Sequence, residues 1–342
     1  MAWQEEGSIA LNILITGATG FIGGGIARAA ITRGWHVLAT YRGTPPANSP
    51  GIEWRTLDQI EAAPLSSRFD VVIHAAAIRH RHGIEPSAYG RTNAEITQRI
   101  VQLSRAHSDR LVLISSIAVY GWPKKLPIDE SFPPAPVGDY GRSKVECERA
   151  VREAGIPYTI VEPSITYGPG DTNGMMDKIL RMIARKRFVL PGLGRSRVQL
   201  IYIEDLARLV LDAAVSRRTR NETFICTYRE PISVGELARL AANAVGNRLP
   251  LVGVPVSLLK LGAIGFELGE GAGLFKGEPP LTREKLATVS VDRAYRIDRM
   301  RELLGDEPRV GYEEGFRRTA SALGLAPICS EASKAAIPLS RG

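Results

Sequence analysis

Two groups of residues in this chain have types and spacings that can do chemistry. The first is Tyr140-Gly-Arg-Ser-Lys144, a tyrosine and a lysine four residues apart. On a helix that spacing sets both side chains on one face. A free tyrosine titrates near about pH 10, too high for an efficient base at neutral pH. A neighbouring ammonium favours the phenolate and lowers that value. Such a pair suits proton transfer at an oxygen whose carbon gains or loses a hydride. The second group is Thr16-Gly17-Ala18-Thr19-Gly20-Phe21-Ile22-Gly23-Gly24-Gly25, directly after an apolar run. A strand that turns through glycines into a helix gathers backbone N–H groups and the positive helix end at one point, which suits a pyrophosphate. Gly17 permits the tight turn. Gly20 lets a phosphate approach the backbone, and Gly23 lets helix and strand pack closely. Phe21 and Ile22 open the helix and belong to the same phosphate site.

These groups need a scaffold. Short runs rich in Val and Ile at 11–16, 36–41, 52–57, 69–75, 110–115 and 158–162 read as buried strands. Segments 21–33, 87–106 and 140–153 carry the 3.6-residue period of helices. Near-continuous apolar strands alternating with helices imply a parallel sheet covered on both faces. Beyond about residue 165 the alternation loosens. Helices are expected at 175–187 and 203–215 and a strand at 222–227. Ser233 and Glu236 stand at the spacing of a capping box. Residues 256–267 read as an apolar helix before the glycine-rich 269–273, and 326–342 as a loose tail. The expected organisation is a dinucleotide-binding domain over 10–165, to which about 198–228 return, and a substrate-binding region over 166–325.

Composition narrows the function classes. The 342 residues are 44% hydrophobic and 23% charged, the mix of an ordinary globular protein large enough for a sizeable core. The net charge of +8 comes from arginines spread along the chain, with the tightest cluster at Arg181, Arg185, Lys186 and Arg187 and then Arg195 and Arg197. No basic block is interleaved with aromatics, so nucleic acid is not an expected partner. Three cysteines without a close pair, Cys147, Cys226 and Cys329, argue against a disulfide framework or a zinc site, and no metal is expected. The N-terminus lacks the apolar core of a signal peptide, and residues 249–259 are too short to span a bilayer. A small-molecule substrate and a cytoplasmic location are expected.

Further stretches carry a resemblance. Asp70-Val-Val-Ile-His-Ala-Ala-Ala77, Ser115-Ser-Ile-Ala-Val-Tyr-Gly121, Tyr167-Gly-Pro-Gly-Asp171 and Ile201-Tyr-Ile-Glu-Asp-Leu-Ala207 join the Thr-Gly-x-x-Gly-x-x-Gly of the first turn. Together they resemble the extended short-chain dehydrogenase/reductases, the NAD-dependent epimerase/dehydratase family, over roughly residues 10–325. The resemblance implies an α/β fold, a Rossmann doubly wound parallel sheet with a smaller C-terminal α/β substrate-binding region. It implies a catalytic centre of Ser116, which orients the reacting oxygen, with Tyr140 and with Lys144, which also holds the nicotinamide ribose. It implies cofactor contacts at Ala75 and Ala76, at Asn93, at Pro163, and at Asp58 beside the adenine. Members often pair as homodimers, so a homodimer is the implied assembly.

The second strand ends Thr40-Tyr41-Arg42. An acid at that edge binds the ribose 2′-hydroxyl of NAD, whereas an arginine accommodates a 2′-phosphate. Tyr41 stands where NAD-preferring relatives carry an acid, and Arg42 follows. These residues favour NADP, with NAD the alternative.

The reaction is narrowed by departures from the family. Sugar-nucleotide dehydratases carry an acidic pair after the serine; here Ile117 and Ala118 follow Ser116, so dehydration is disfavoured. Sugar-nucleotide epimerases show an arginine and an asparagine in the sixth strand, where this chain has Glu162 and Ile165. An arginine that holds the diphosphate is replaced by Val198, with Arg197 one place away and therefore on the other face of a strand; Arg195 or Arg197, serving from a loop, is the alternative. The favoured reading is an NADP-dependent carbonyl reductase or alcohol dehydrogenase, acting on a hydrophobic or sterol-like substrate. Two pieces, Pro279-Pro-Leu-Thr-Arg-Glu284 and Gly311-Tyr-Glu-Glu-Gly315, resemble hydroxysteroid-dehydrogenase-like relatives. A nucleotide-sugar 4-epimerase or 4-reductase is the second reading, and an NADP-binding sensor or scaffold without turnover the third. The apolar 250–275 stretch is either a lid or ordinary packing and subunit contact. Arg79-His80-Arg81-His82, after the fourth strand, either contacts an anionic ligand or is a solvated loop.

Overall fold

The computed structural model describes residues 10–46, 49–62, 68–78, 86–172, 174–247, 253–271, 279 and 281–326. The run from Arg79 to His82, Cys329 and the tail beyond Ala326 lie outside them. The first half alternates strictly: β1 (Asn12–Thr16), α1 (Phe21–Thr32), β2 (His36–Thr40), β3 (Ile52–Arg55), α2 (Leu57–Ala62), β4 (Val71–His74), α3 (Pro86–His107), β5 (Leu111–Ile114), α4 (Asp139–Arg152) and β6 (Tyr158–Pro163). Then follow β7 (Ile165–Tyr167), α5 (Met175–Ala184), β8 (Leu190–Pro191), β9 (Arg197–Val198), β10 (Leu200–Tyr202), α6 (Ile203–Val215), β11 (Glu222–Cys226), β12 (Ile232–Ser233) and α7 (Val234–Ala244). The last elements are β13 (Gly253–Val254), α8 (Val256–Gly271), α9 (Arg283–Ser290), α10 (Asp298–Leu304) and α11 (Tyr312–Ala322).

Seven strands form one parallel sheet in the order β11-β6-β5-β4-β1-β2-β3. The order reverses between β1 and β4, which opens a crevice at their carboxyl ends. β4 and β5 are buried along their whole length, as strands covered on both faces must be. One face packs Ile13, Ile15 and Ile73 against Ile26 of α1 and Leu206 and Val210 of α6. The other packs Leu14, Val72 and Leu113 against Ile100 of α3 and Cys147 and Val151 of α4. Helix α6 and β11 come from far along the chain and close this layer. A separate core gathers Tyr167, Leu180, Leu200, Leu237 and Phe316 from α5, α7, α11 and the short strands. That second core rests on two-stranded pairings, β7–β10, β9–β12 and β8–β13. No helix among the described residues is long and apolar enough to cross a membrane.

Two departures from the sequence expectation have local causes. The third strand stops at Arg55 rather than 57, because Thr56 opens α2. Its hydroxyl accepts from the Gln59 N–H at 3.2 Å, and Gln59 Oε1 accepts from the Thr56 N–H at 2.8 Å. This is a capping box written with glutamine. The segment after 165 contains many two- and three-residue strands, too short to show a period of two.

Candidate active site

The glycine turn sits at the crevice between β1 and β4. Gly17 follows β1 with φ +75°, a left-handed conformation natural to glycine. A Cβ there would lie 2.6 Å from the Ala76 nitrogen and 2.8 Å from the Ala75 carbonyl carbon. The turn therefore touches the residues that follow β4. Gly23 is held as closely, since a Cβ there would lie 2.3 Å from the Gly17 oxygen. Gly20 caps α1 with no side-chain acceptor, and the first turn carries no acid. Phe21, Ile22 and Gly23 thus lead the helix with backbone N–H groups that no side chain caps. This cradle fits a dinucleotide pyrophosphate: close backbone, helix dipole, no competing carboxylate.

Side chains lock the turn from behind. Thr40, the last residue of β2, accepts from the Gly17 N–H at 3.3 Å. Thr16 accepts from the Ala76 N–H at 3.4 Å and pairs with His74 Nδ1 at 2.6 Å. His74 Nε2 reaches Thr97 Oγ at 3.0 Å. Burial pushes the His74 imidazole down to about 3, and the Lys144 charge adds to the shift, so the ring is neutral at physiological pH. Sequence reading missed this buried line. Its signal was three hydrogen-bonding residues, Thr16, Thr40 and His74, each closing an apolar strand.

Asn93 on α3 is buried rather than displayed. Its Oδ1 accepts from the Ile78 N–H at 2.8 Å, and its Nδ2 donates to the Ile78 carbonyl at 3.2 Å and to Ser143 Oγ at 3.0 Å. It fastens the segment after β4 to α4, one residue before Lys144. Arg42 lies just beyond β2, exposed, with no ion pair among the described residues. Asp58 lies in the first turn of α2, exposed and ion-paired with Arg99, which also holds Glu61 at 2.6 Å. The residues that leave β3 directly are Thr56 and Leu57. Pro163 ends β6, opposite Cys226 of β11.

Helix α4 presents Tyr140 and Lys144 on one face beside β5. Lys144 is buried, its Nζ donates to the Ile114 carbonyl at 2.8 Å, and it stands 5.9 Å from the Tyr140 ring centroid. Tyr140 is half-buried, and its hydroxyl has no hydrogen-bond partner among the described residues. Ser116 leaves β5 half-buried, and its Oγ accepts from the Ala118 N–H at 3.2 Å. Gly141 brings helix and serine turn together, for a Cβ at Gly141 would lie 2.7 Å from the Ala118 oxygen. The helix continues the spacing to Glu148, buried, which accepts from Ser115 Oγ and pairs with Arg152 at 3.0 Å. That third member, four residues after Lys144, was legible in the sequence and was not read.

The positions that differ from sugar-nucleotide epimerases are engaged elsewhere. Glu162 is buried and accepts from the Tyr120 hydroxyl at 2.6 Å. Burial, then the Glu148 charge, raise its carboxyl well above the usual range. Val198 is fully buried, paired with Ile232 of β12. Arg197 points outward and its backbone N–H donates to Asp292 at 2.7 Å. Asp205, within the Ile201–Ala207 stretch, is also structural: it accepts from Arg208 at 2.9 Å and from the Val310 N–H at 2.7 Å.

A doubly wound sheet with a phosphate cradle at its switch point and a tyrosine–lysine face on the helix over β5 defines a dinucleotide-dependent enzyme. Residues 13–226 match the NAD dependent epimerase/dehydratase family, and the chain belongs to that family. It is 28% identical over 338 residues to the 2-alkyl-3-oxoalkanoate reductase of Stenotrophomonas maltophilia, covering 90% of this chain and 98% of that one. It is 26% identical over 332 residues to the UDP-glucose 4-epimerase of Vibrio cholerae, covering 91% and 95%. The solved UDP-glucose 4-epimerase of Thermotoga maritima, with UDP-glucose, has the same fold, at TM-score 0.72 and 22% identity over 92% of this chain and 99% of that one. The resemblance read from the motifs holds, and the chain is an enzyme of the nicotinamide-dependent oxidoreductase and epimerase kind.

Proposed function

We propose that the chain is an NADP(H)-dependent reductase or dehydrogenase of an apolar carbonyl or alcohol. The observation that carries this reading is the free Tyr140 hydroxyl, with the Lys144 ammonium beside its ring and Ser116 on the adjoining turn. A bound nicotinamide supplies or takes the hydride. Tyr140 moves the proton at the substrate oxygen, and Lys144 favours its phenolate and holds the ribose. Ser116 donates to a carbonyl or accepts from an alcohol. Gly17, Gly20, Phe21, Ile22 and Gly23 take the pyrophosphate, Ala75, Ala76 and Pro163 line the crevice beyond it, Asn93 holds the loop above, and Arg42 takes the 2′-phosphate. Asp58 reaches the adenine only if its pairing with Arg99 opens. The substrate enters from the side built by 166–325.

The buried Glu162 and Val198 support reduction over sugar-nucleotide epimerisation, since neither can reach a diphosphate. The likeness to an alkyl oxoalkanoate reductase supports a hydrophobic 3-oxo substrate. The likeness to a 4-epimerase at nearly the same identity keeps nucleotide-sugar epimerisation as the second reading.

Tyr140→Phe tests the centre. Turnover of an apolar ketone falls by about 10²–10⁴-fold while cofactor affinity holds; unchanged turnover refutes the assignment. Fluorescence titration tests the cofactor: NADP(H) binds more tightly than NAD(H), and Arg42→Asp inverts the ratio. Equal ratios in both proteins sink the role of Arg42, and copurified NAD with stabilisation by a UDP-sugar favours the epimerase.

A further inference from the structure

We propose that α8 and the loop before β9 form a docking surface for an anionic lipid bilayer. Among the described residues, ten large apolar side chains are exposed. Seven of them fall in two stretches: Met182, Val189 and Leu193, then Leu258, Leu261, Ile264 and Leu268. Single exposed apolar residues are ordinary, whereas a contiguous patch marks an interaction site. On α8 the last four occupy one face about 120° wide at 100° per residue. Leu258, Leu261 and Leu268 are 58%, 66% and 70% exposed. Among the described residues the face is open, for a Cβ at Gly262 or Gly265 meets none of them within 4 Å. The inner side seats the helix: Ala263 is buried, and Glu267 pairs with Arg283 of α9 at 2.6 Å.

The two stretches are joined through the pairing of β8 with β13. Gly253 pairs with Leu190 and Val254 with Pro191. The Gly192 N–H donates to the Val254 carbonyl at 2.7 Å. A Cβ at Gly253 would lie 3.6 Å from Leu193 Cδ2. Leu193, itself 70% exposed, therefore lies beside the strand that leads into α8.

Charge selects the occupant. Arg185, Lys186, Arg187 and Arg195 flank Val189 and Leu193, and Lys260 lies on α8 between Leu258 and Leu261. All five are exposed, and none has an ion pair among the described residues. The nearby acids are engaged, Asp177 with Arg181 at 2.7 Å and Glu267 with Arg283. A second copy of this chain would bring the same cations against one another, at a cost. A bilayer with anionic headgroups takes the leucines at the headgroup–acyl boundary and the cations at the headgroups. Lys260 can keep its ammonium at the polar level while its stem lies among the leucines.

The docking does not depend on the substrate reading, and its test uses neither substrate nor cofactor. The purified full chain is sedimented with vesicles of phosphatidylcholine, alone or with phosphatidylglycerol. It binds the phosphatidylglycerol vesicles, and added salt weakens the binding. Leu261→Glu with Leu268→Glu lowers the partition by at least about tenfold, as does Lys186→Glu with Arg187→Glu. Melting temperature and far-UV circular dichroism show that the variants are folded. Should the glutamate pair disturb folding, Leu258→Ser with Leu261→Ser replaces it. The proposal is overturned if the unaltered chain stays in the supernatant with anionic vesicles. It is also overturned if folded variants bind as the parent does. A chain that is dimeric by analytical ultracentrifugation, ignores vesicles and becomes monomeric in the leucine variants shows a contact between copies instead.

Discussion

At the scale of single residues, the site depends on side chains whose charge state is set by burial. His74 has no water to hydrate a proton, and Lys144 stands near it, so the ring stays neutral down to about pH 3. In the unfolded chain a histidine binds its proton near about pH 6.5. Acid therefore favours the unfolded state: the stability His74 permits is complete above about pH 6.5 and lost as pH falls toward 3, by up to about 1.4 kcal/mol per pH unit. His74→Gln should remove that component. Unfolding free energy of the two proteins, measured by urea from pH 7 to 4.5, converges as pH falls; parallel curves would show a ring that is protonated in the fold.

At the scale of elements, α4 and β6 share a buried pair of acids. Glu148 of α4 has Ser115 and Arg152 as partners, while Glu162 of β6 has the Tyr120 hydroxyl. Burial, and then the Glu148 charge with one arginine to offset it, raises the Glu162 carboxyl well above its usual range. A carboxyl raised in this way stabilises the fold at low pH and loses that contribution as pH rises above about 4.5. Glu162→Gln keeps an acceptor for Tyr120 and removes the penalty. Its melting temperature relative to the parent should be near zero difference at pH 4.5 and grow with pH; a difference that shrinks instead would mean that Glu162 is ionised. The same helix shows how far pattern reading reaches. The strands of the first half and its helices α1, α3 and α4 were legible because the apolar runs and helical periods are long enough to read, whereas the six-residue α2 was not. The helices α9 and α10 were not read, since eight and seven residues barely show one. Their ends were marked all the same, by Thr282, which accepts from the Lys285 N–H at 3.2 Å, and by Gly305 in the left-handed region.

At the scale of the whole molecule, buried charges join segments distant in sequence. Arg110, before β5, donates to the carbonyls of Ala214 and Ser216 at the end of α6 and to the hydroxyls of Thr159 and Thr219. Burial lowers its guanidinium to about 10, and these four acceptors take hydrogens from its two terminal nitrogens. Asp205 ties α6 to Val310 before α11, and Arg208 extends the tie to Asp306. Asp205→Ala strands the Val310 N–H and one arginine contact, so it should cost about 2–3 kcal/mol, seen in equilibrium unfolding. Cofactor affinity should change little, because the partners of Asp205 are Arg208 and the Val310 N–H, neither of them part of the phosphate cradle. A loss under about 0.5 kcal/mol would show that Arg208 and its remaining partners suffice.

The sequence by itself determined the class of fold and singled out the residues proposed to do the chemistry. Glycines after an apolar strand, and a tyrosine four residues before a lysine, are local patterns whose meaning the helix and strand geometry dictates. Tertiary structure alone decided which motif residues face a ligand and which face the core. Asn93, Asp205 and Tyr167 stand at positions or in stretches that carry the family resemblance, yet all three are buried. Tyr167 packs edge-on to Tyr202 and against Phe316, with ring centroids 5.5 and 5.2 Å apart. Leu258, Leu261 and Leu268 lie in the apolar stretch read as a lid, packing or a subunit contact, and their exposure excludes core packing for them. The reason is physical: a residue's type fixes what it can bond, but burial depends on which distant segment arrives beside it, and no spacing along one chain encodes that.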